Sequence, residues 1–458
     1  MPKSSRAVSS SIASGLRGTS ALVIQAVKGI TDLVEDMHRN IASVSPVVGI
    51  AKQGRTKGIT GLVYRSVRGV TDVVGWGLDK SLGLADHSLT SMPAVAAVAA
   101  SALKPLATRL NLKSAQPYRE TVLAAANGVL GDTMAATSNP LAIRMQLRQQ
   151  GAALTLTKAA LKTQIQQPTS KVLVLVHGLC MNDLQWLHVK DGVGHDHGAA
   201  LAQDLGYTPV YLHYNSGRHI SESGRDLANI LQSLTEAWPV AMTELVIIGH
   251  SMGGLVSRSA CEVARVTAMP WLKQLNKLIC LGTPHHGAPL ERAGSWLDYL
   301  LGISPYTAPF AKLGLVRSAG IKDLRHGNML DSDWQGRSTS RAHDRGGVVA
   351  LPKGVKCYVV AASKKAQLVT AQSAKAQPAM AQSDVKVSSR NTTNIATGKI
   401  LSGDGLVPVR SALGQHEDVG RALSFPASHQ YIAYSTDHFQ LLSNPAVYRQ
   451  LEAWLAKP

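Results

Sequence analysis

Continuous runs of apolar residues, many of them β-branched, mark the second half of the chain. The run Val172 to Val176 is typical of a strand that is buried on both faces of a parallel sheet. Comparable runs predict further strands at Val210 to Tyr214, Leu245 to Ile248, Lys277 to Leu281 and Val355 to Ala361. A helical pattern follows around Leu441 to Leu455 at the end of the chain.

The first 90 residues have helical periodicity instead, and they contain an internal repeat. Gly18 to Val34 aligns with Gly58 to Val74 at an offset of 40, and eight of the seventeen aligned positions are identical. Apolar residues recur at helical spacing in both copies, and Pro46 falls between them. The pattern predicts a helical hairpin.

Such a hairpin needs a partner for its apolar faces. It could pack on the rest of the chain, pack on a second copy in a homo-oligomer, or bind a membrane or granule surface, and partial disorder is the fourth alternative. We therefore divide the chain into a basic amphipathic helical repeat region (1–90), a helical connector (91–167, with a helix at Tyr118 to Ala136) and a main domain (168–458).

The strongest chemical signal is the turn Gly249-His250-Ser251-Met252-Gly253, between a predicted strand and a predicted helix. In this context the G-x-S-x-G pattern predicts a nucleophilic serine, because the tight turn exposes the hydroxyl at the strand tip. A purely structural turn is the alternative.

A second strand end, His177-Gly178-Leu179, predicts part of an oxyanion hole. An oxyanion needs two backbone N–H donors, and Leu179 and Met252 occupy the expected places. His177 precedes the serine in the chain, so we expect it to orient the loop by hydrogen bonding and not to act as the base.

Two later residues complete the expected chain order of a Ser-Asp-His triad. Asp404 lies between glycines at a loop tip, and His438 precedes the terminal helix. His429 is the competing candidate for the base.

The chain from Lys171 to Pro458 resembles an α/β-hydrolase of the bacterial lipase and esterase kind, and it is similar to the hydrolase domain of GPI inositol-deacylase (PGAP1-like) proteins. The matching segments are Val176-His177-Gly178-Leu179, Gly249 to Gly253, Leu281-Gly282-Thr283-Pro284-His285-His286-Gly287, Gly403-Asp404-Gly405-Leu406-Val407-Pro408 and Asp437-His438. The resemblance implies a doubly wound, mostly parallel sheet with a helical N-terminal extension and a helical lid-like insertion. It assigns Ser251, Asp404 and His438 to the triad, and Leu179 and Met252 to the oxyanion hole.

The activity implied is hydrolysis of carboxylic esters of lipid or other hydrophobic acyl groups through an acyl-enzyme, with no cofactor and no metal. A polyester depolymerase and a phospholipid or GPI-type deacylase are alternatives within that chemistry. A catalytically inactive protein that binds lipid or granule surfaces is the alternative of another class.

Two segments interrupt the predicted hydrolase domain. The insertion 288–350 is rich in aromatic residues, which indicates a helical lid or acyl pocket, with an extra core layer as the alternative. Repeated Ala, Gln and Ser predict a flexible loop at 363–399. The candidates for the substrate pocket are His177, His250, His286, Trp296 and Arg218.

Composition limits the partners and the compartment. The net charge is +18, but there is no nucleic-acid motif and no aromatic platform, so we expect an anionic lipid or polymer surface and not nucleic acid. The four cysteines show no disulfide or zinc spacing, and His195 to His197 is expected to cap a helix rather than bind a metal. Without a secretory signal, the protein is expected in the cytoplasm, either soluble or peripheral at the membrane.

Overall fold

The computed structural model describes residues 116–190, 192–288, 318–335, 349–366 and 403–457. Predictions about the N-terminal repeat, Trp296 and most of the loop 363–399 lie outside these residues. Of the insertion 288–350, Ala288, 318–335 and the last two residues are described.

Two compact units divide the chain. The first unit comprises residues 1–116 and 133–142, of which the structure describes Gln116 and 133–142. Within the described part, the Asn139 side chain accepts a hydrogen bond from the Leu141 amide. Residues 117–132 and 143–458 form the other, which contains the sheet and every candidate site residue considered below.

Ten strands and eight α-helices are found among the described residues. The strands are β1 (Gln146–Gln149), β2 (Ala152–Ala153), β3 (Lys171–Val176), β4 (His188–Lys190), β5 (Val193–His195), β6 (Thr208–His213), β7 (Glu244–His250), β8 (Leu275–Leu281), β9 (Lys356–Ser363) and β10 (Gln430–Tyr434). The helices are α1 (Gln116–Ala136), α2 (Lys158–Gln164), α3 (His197–Leu205), α4 (Ile220–Ala237), α5 (Met252–Val266), α6 (Ala319–His326), α7 (Val409–Ala412) and α8 (Pro445–Leu455).

The main sheet has eight strands in the order β10-β9-β8-β7-β3-β6-β1-β2. The strands from β10 to β6 are parallel to their neighbours, whereas β1 pairs antiparallel with both β6 and β2. The mostly parallel, doubly wound architecture predicted from the sequence is confirmed. The sheet nevertheless begins at Gln146, within the segment for which the sequence predicts a helical connector.

Alternate residues of the central strands face two separate cores, with helices on each side. On β3, Val172, Val174 and Val176 pack with residues of α4 and α5, whereas Leu173 and Leu175 pack with residues of α3 and α8. All five are fully buried, and each such side chain contributes about 1.5–3 kcal/mol to folding. Burial on both faces explains why the sequence shows continuous apolar runs.

The parallel strands place their carboxyl ends at one edge of the sheet. The segments that follow β3, β6, β7, β8 and β10 therefore meet there, as in other doubly wound sheets. Asp404 joins this edge, because the Lys364 amide beyond the end of β9 donates a hydrogen bond to the Gly403 carbonyl at 3.4 Å. In the described part of the chain, no helix is both long and apolar enough to cross a bilayer.

Candidate active site

Ser251 lies in a strained turn between β7 and α5. Its backbone has φ 54° and ψ −122°, a conformation that residues other than glycine rarely adopt. The Ser251 amide donates a hydrogen bond to the carbonyl of Leu281, the last residue of β8, at 2.8 Å. The neighbouring strand thus holds the backbone of the serine in this conformation at the tip of β7.

Three glycines make the turn sterically possible. A Cβ atom at Gly249 would lie 2.6 Å from the Gly254 nitrogen, and one at Gly253 would lie 2.2 Å from the Val176 carbonyl oxygen. At Gly254 it would lie 2.1 Å from the hydroxyl of Thr283. Any side chain at these positions would push α5 away from β7, from β3 or from the loop after β8.

Asp404 and His438 form a buried hydrogen-bonded pair. Nδ1 of His438 lies 2.7 Å from Oδ2 of Asp404, and the two residues are 1% and 0% exposed. The other carboxylate oxygen accepts the backbone N–H groups of Leu406 and Val407 at 2.8 and 2.7 Å. Because the carboxylate is fixed on both sides, it fixes the orientation of the imidazole and leaves Nε2 as the nitrogen available for proton transfer.

The imidazole of His438 packs on the segments that hold Ser251. Its ring centroid lies 4.7 Å from that of His250, the residue before the serine, and Nε2 of His250 lies 3.1 Å from the His438 carbonyl oxygen. A Cβ atom at Gly282, which follows Leu281, would lie 3.2 Å from Nδ1 and Cε1 of His438. The fold therefore brings the histidine to the carboxyl end of β7 and β8, where the serine is.

His429, the competing histidine, lies at the opposite edge of the sheet. Its Nδ1 is 3.0 Å from the carbonyl oxygen of Cys357, near the start of β9, and its ring stacks on Tyr358. Cys357 pairs with Leu278 on β8, and Leu278 pairs with Ile247 on β7, which is four residues before Ser251. At about 3.3 Å per residue, that separation is about 13 Å.

Gly178 and Leu179 approach Ser251 closely, as expected for an oxyanion loop. A Cβ atom at Gly178 would lie 3.1 Å from Cβ of Ser251. Leu179 and Met252 are both 1% exposed, and neither backbone N–H has a hydrogen-bond partner among the described residues. An oxyanion requires two free amides of this kind close to the nucleophile, so the oxyanion hole formed by Leu179 and Met252 stays a prediction.

His177 and His250 are fully buried, and each is hydrogen-bonded to a backbone carbonyl. Nδ1 of His177 lies 2.8 Å from the Gly178 oxygen, and its ring stacks on Tyr214. Burial lowers the pKa of His177 to about 3 and that of His250 well below its ordinary value, so both are neutral near pH 7. Their contact with a substrate stays a prediction, as does that of Trp296.

The other two candidate pocket residues have protein partners. Nε2 of His286 lies 3.0 Å from the carbonyl oxygen of Gly414, and its side chain is half-buried. Arg218 donates hydrogen bonds to Glu222 at 3.2 Å and to Asp226 at 2.6 Å on α4. A substrate that bound Arg218 would have to compete with these two carboxylates.

The structure also reveals a buried charged cluster that sequence reasoning missed. Oδ1 of Asp183, directly after the oxyanion loop, lies 3.0 Å from Nδ1 of His213 and 3.2 Å from Nη1 of Arg148. Burial raises the pKa of Asp183, but these two partners outweigh burial, and the pKa lies below its ordinary value. Arg148 is 35 residues away in the chain, so no local motif could have indicated the cluster.

Metal ligation is not indicated among the described residues, which contain no suitable group of three His, Cys, Asp or Glu side chains. The Asp196 side chain instead accepts the Ala199 amide at the start of α3, which confirms the predicted cap.

Comparison with known proteins finds one family model that matches part of the main domain. Residues 167–358 match the model of the PGAP1-like alpha/beta domain family. Among solved structures, the chain is similar to the mature lipase of Bacillus licheniformis, with 18% identity and a TM-score of 0.37 over 64% of this chain and 95% of that one. It is also similar to an esterase of Pyrococcus furiosus, with 11% identity and a TM-score of 0.34 over 63% of this chain and 81% of that one. A search of curated proteins gives no match.

Proposed function

We propose that this chain, which has an α/β-hydrolase fold and matches the PGAP1-like alpha/beta domain model over residues 167–358, hydrolyses carboxylic esters. In this proposal Ser251 is the nucleophile, His438 the general base and Asp404 the carboxylate that orients it. The observation that carries the proposal is the convergence of the strained Ser251 turn with the buried Asp404–His438 pair at one edge of the sheet.

The reaction begins when Oγ of Ser251 attacks the ester carbonyl and Nε2 of His438 takes its proton. Asp404 stabilises the resulting imidazolium while it remains a carboxylate. The backbone N–H groups of Leu179 and Met252 donate hydrogen bonds to the negatively charged oxygen of the tetrahedral intermediate. His438 then returns the proton to the leaving alcohol, which leaves an acyl group on the serine.

Deacylation repeats the same steps with water as the nucleophile. His438 takes a proton from water, the water oxygen attacks the acyl carbonyl, and the proton passes to Ser251 as the acid is released. Every proton transfer uses groups of the chain itself, so the proposed reaction requires no cofactor. We propose hydrophobic acyl groups as substrates because the sequence of the insertion 288–350 is rich in aromatic and aliphatic residues.

Hydrolysis of p-nitrophenyl esters of graded chain length tests the proposal. We expect activity in the wild type and a loss of about five to six powers of ten in Ser251→Ala. Ser259→Ala is the matched control, because Ser259 is a buried hydroxyl on the same helix that bonds the Met329 carbonyl at 2.8 Å. A wild type without activity towards any chain length, or an unaffected Ser251→Ala variant, would contradict the proposal.

A further inference from the structure

The Leu179 N–H, which we expect to bind the oxyanion, belongs to a peptide group whose carbonyl is held by hydrogen bonds. The carbonyl of the Gly178–Leu179 peptide accepts hydrogen bonds from Nδ1 of His177 at 2.8 Å and from the Met181 amide at 3.4 Å. In a trans peptide the carbonyl and the N–H point in opposite directions. Anchoring the carbonyl therefore fixes the direction of the Leu179 N–H, which has no partner among the described residues.

The next peptide group, between Leu179 and Cys180, is held by Ser216. The Cys180 amide donates a hydrogen bond to Oγ of Ser216 at 3.0 Å, and Ser216 is only 1% exposed. Cys180 has φ 60°, a left-handed conformation that is unfavourable for a residue with a side chain. The hydroxyl thus supports a strained residue immediately beside the oxyanion donor.

The preceding peptide group, between His177 and Gly178, is held by Tyr214. The Tyr214 hydroxyl donates a hydrogen bond to the His177 carbonyl at 2.9 Å, and the two rings stack with centroids 4.4 Å apart. Burial raises the pKa of Tyr214 far above its ordinary value, so the hydroxyl stays protonated and remains a donor.

We propose that Tyr214 and Ser216 are positioning residues that aim the Leu179 amide at the oxyanion. Both lie in the loop after β6, and they hold the peptide groups on either side of the donor peptide. This inference rests on the proposed function, because only a developing oxyanion gives the direction of that amide a catalytic role. Neither side chain contacts the reacting atoms in this account; both act through the Gly178–Leu179 peptide.

The loop after β6 is itself anchored, which allows it to act as a support. Nδ2 of Asn215 donates to the Gly131 carbonyl of α1 at 2.8 Å, and Oδ1 of Asn215 accepts the Gly217 amide at 3.1 Å. A Cβ atom at Gly217 would lie 2.1 Å from the carbonyl oxygen of Asn127. Hydrogen bonds and close packing therefore join residues 117–132 of α1 to the loop after β6, which supports the oxyanion loop.

Steady-state kinetics of Ser216→Ala and Tyr214→Phe test the proposal. The first removes the acceptor of the Cys180 amide, and the second removes one hydroxyl but keeps the stacked ring. We expect each to lower kcat about 10-fold, because misdirecting one oxyanion donor costs less than the 100- to 1000-fold typical of removing it. KM should stay within about twofold, since the amide acts in the transition state and not in the bound ester.

A reversible transition-state analogue gives the second readout. A trifluoromethyl ketone forms a tetrahedral adduct with an active serine, so its inhibition constant should rise in both variants by about the same factor as kcat falls. Ser259→Ala is again the control for loss of a buried hydroxyl, and it should leave both constants near the wild-type values.

The outcomes separate this inference from the proposed function. If the wild type is active but Ser216→Ala and Tyr214→Phe match Ser259→Ala in kcat and in inhibition, the positioning inference is wrong and the hydrolase proposal stands. A rise in KM without a fall in kcat would likewise contradict it. A wild type that neither hydrolyses esters nor binds the analogue would overturn both.

Discussion

Nδ1 of His438 lies 2.7 Å from Oδ2 of Asp404, and neither residue is exposed by more than 1%. The second oxygen of the carboxylate is bound by two backbone N–H groups, so the carboxylate has no freedom to rotate away from the histidine. A carboxylate held in this way selects the imidazole tautomer that has its proton on Nδ1.

We expect Asp404→Asn to lower kcat about 10^4-fold while the fold is retained. An amide at this position cannot accept hydrogen bonds at both of its terminal atoms, so it must lose either the backbone N–H groups or the correct histidine tautomer. Ester hydrolysis and thermal unfolding of the same preparation check this. Wild-type kcat in the folded variant would show that the pair has no catalytic role.

His438→Ala is expected to be nearly as inactive as Ser251→Ala, because it removes the proposed proton acceptor. His429→Ala is the matched control, since His429 is half-buried against the sheet and its Nδ1 lies 3.0 Å from the Cys357 carbonyl oxygen at the opposite edge. The kcat of the two variants should differ by several powers of ten. If His429→Ala is inactive and His438→Ala is active, the assignment of the base is wrong.

Gly253→Ala should destabilise the protein, although alanine is ordinarily about 1 kcal/mol better than glycine inside a helix. The added methyl group would lie 2.2 Å from the Val176 carbonyl oxygen, and such overpacking costs about 1–3 kcal/mol. The free energy of unfolding from urea titration measures the change. Gly420→Ala is the control, because the nearest atom there is 3.3 Å away; equal stability of the two variants would refute the close approach of α5 to β3.

Stability should fall as the pH is lowered from 7 to 4. Burial lowers the pKa of His177 and His197 to about 3, and those of His250 and His285 well below the ordinary value. In the unfolded chain these groups titrate near 6.5, so below that pH the unfolded state binds more protons and each group weakens folding by about 1.4 kcal/mol per pH unit. The part of the free energy of unfolding that depends on these histidines being neutral is fully present above pH 6.5 and is lost as the pH falls towards 3.

Urea midpoints at pH 7, 6, 5 and 4 test this dependence. His197→Gln removes one of the four groups, so its stability should fall less steeply with decreasing pH than that of the wild type. A wild type whose stability does not change between pH 7 and 4 would contradict the buried, neutral state of these histidines.

The N-terminal repeat leads to a prediction that rests on the sequence alone. We propose that residues 1–90 mediate self-association or attachment to an anionic or apolar surface. Deleting them should leave hydrolysis of a small soluble ester largely intact, but it should reduce sedimentation with anionic liposomes or change the oligomer seen by light scattering. Lipid attachment should weaken with salt, because the Debye length falls from about 10 Å at 0.1 M to about 3 Å at 1 M. An unchanged oligomer with unchanged lipid binding would refute the proposal.

The sequence predicts the central strands and the Ser251 turn because their physical requirements are local. A strand buried on both faces needs a continuous apolar run, as in β3, and a strained serine turn needs glycine on each side. Asp404 and His438 could be proposed from chain order, although the terminal helix begins later than expected, at Pro445, with Asn444 as its cap.

Features that depend on tertiary contacts could not be predicted. Strand β1, between β6 and β2, has the sequence QLRQ, which has neither apolar periodicity nor a turn signal. Ser216, which accepts a hydrogen bond from the Cys180 amide, lies 36 residues away from it in the chain. The hydrogen bond between His250 and the His438 carbonyl joins residues that are 188 apart. Such pairs become visible only when the sheet brings the strand ends together.

The most direct test of the central claim is covalent labelling with a fluorophosphonate, followed by mass spectrometry of the peptides. Only a serine activated by a base reacts rapidly with such a probe. We predict one adduct, on Ser251, that is absent from Ser251→Ala and forms far more slowly in His438→Ala. A folded wild-type protein that remains unlabelled, or one that is labelled at another serine, would contradict the claim that Ser251 is an activated nucleophile.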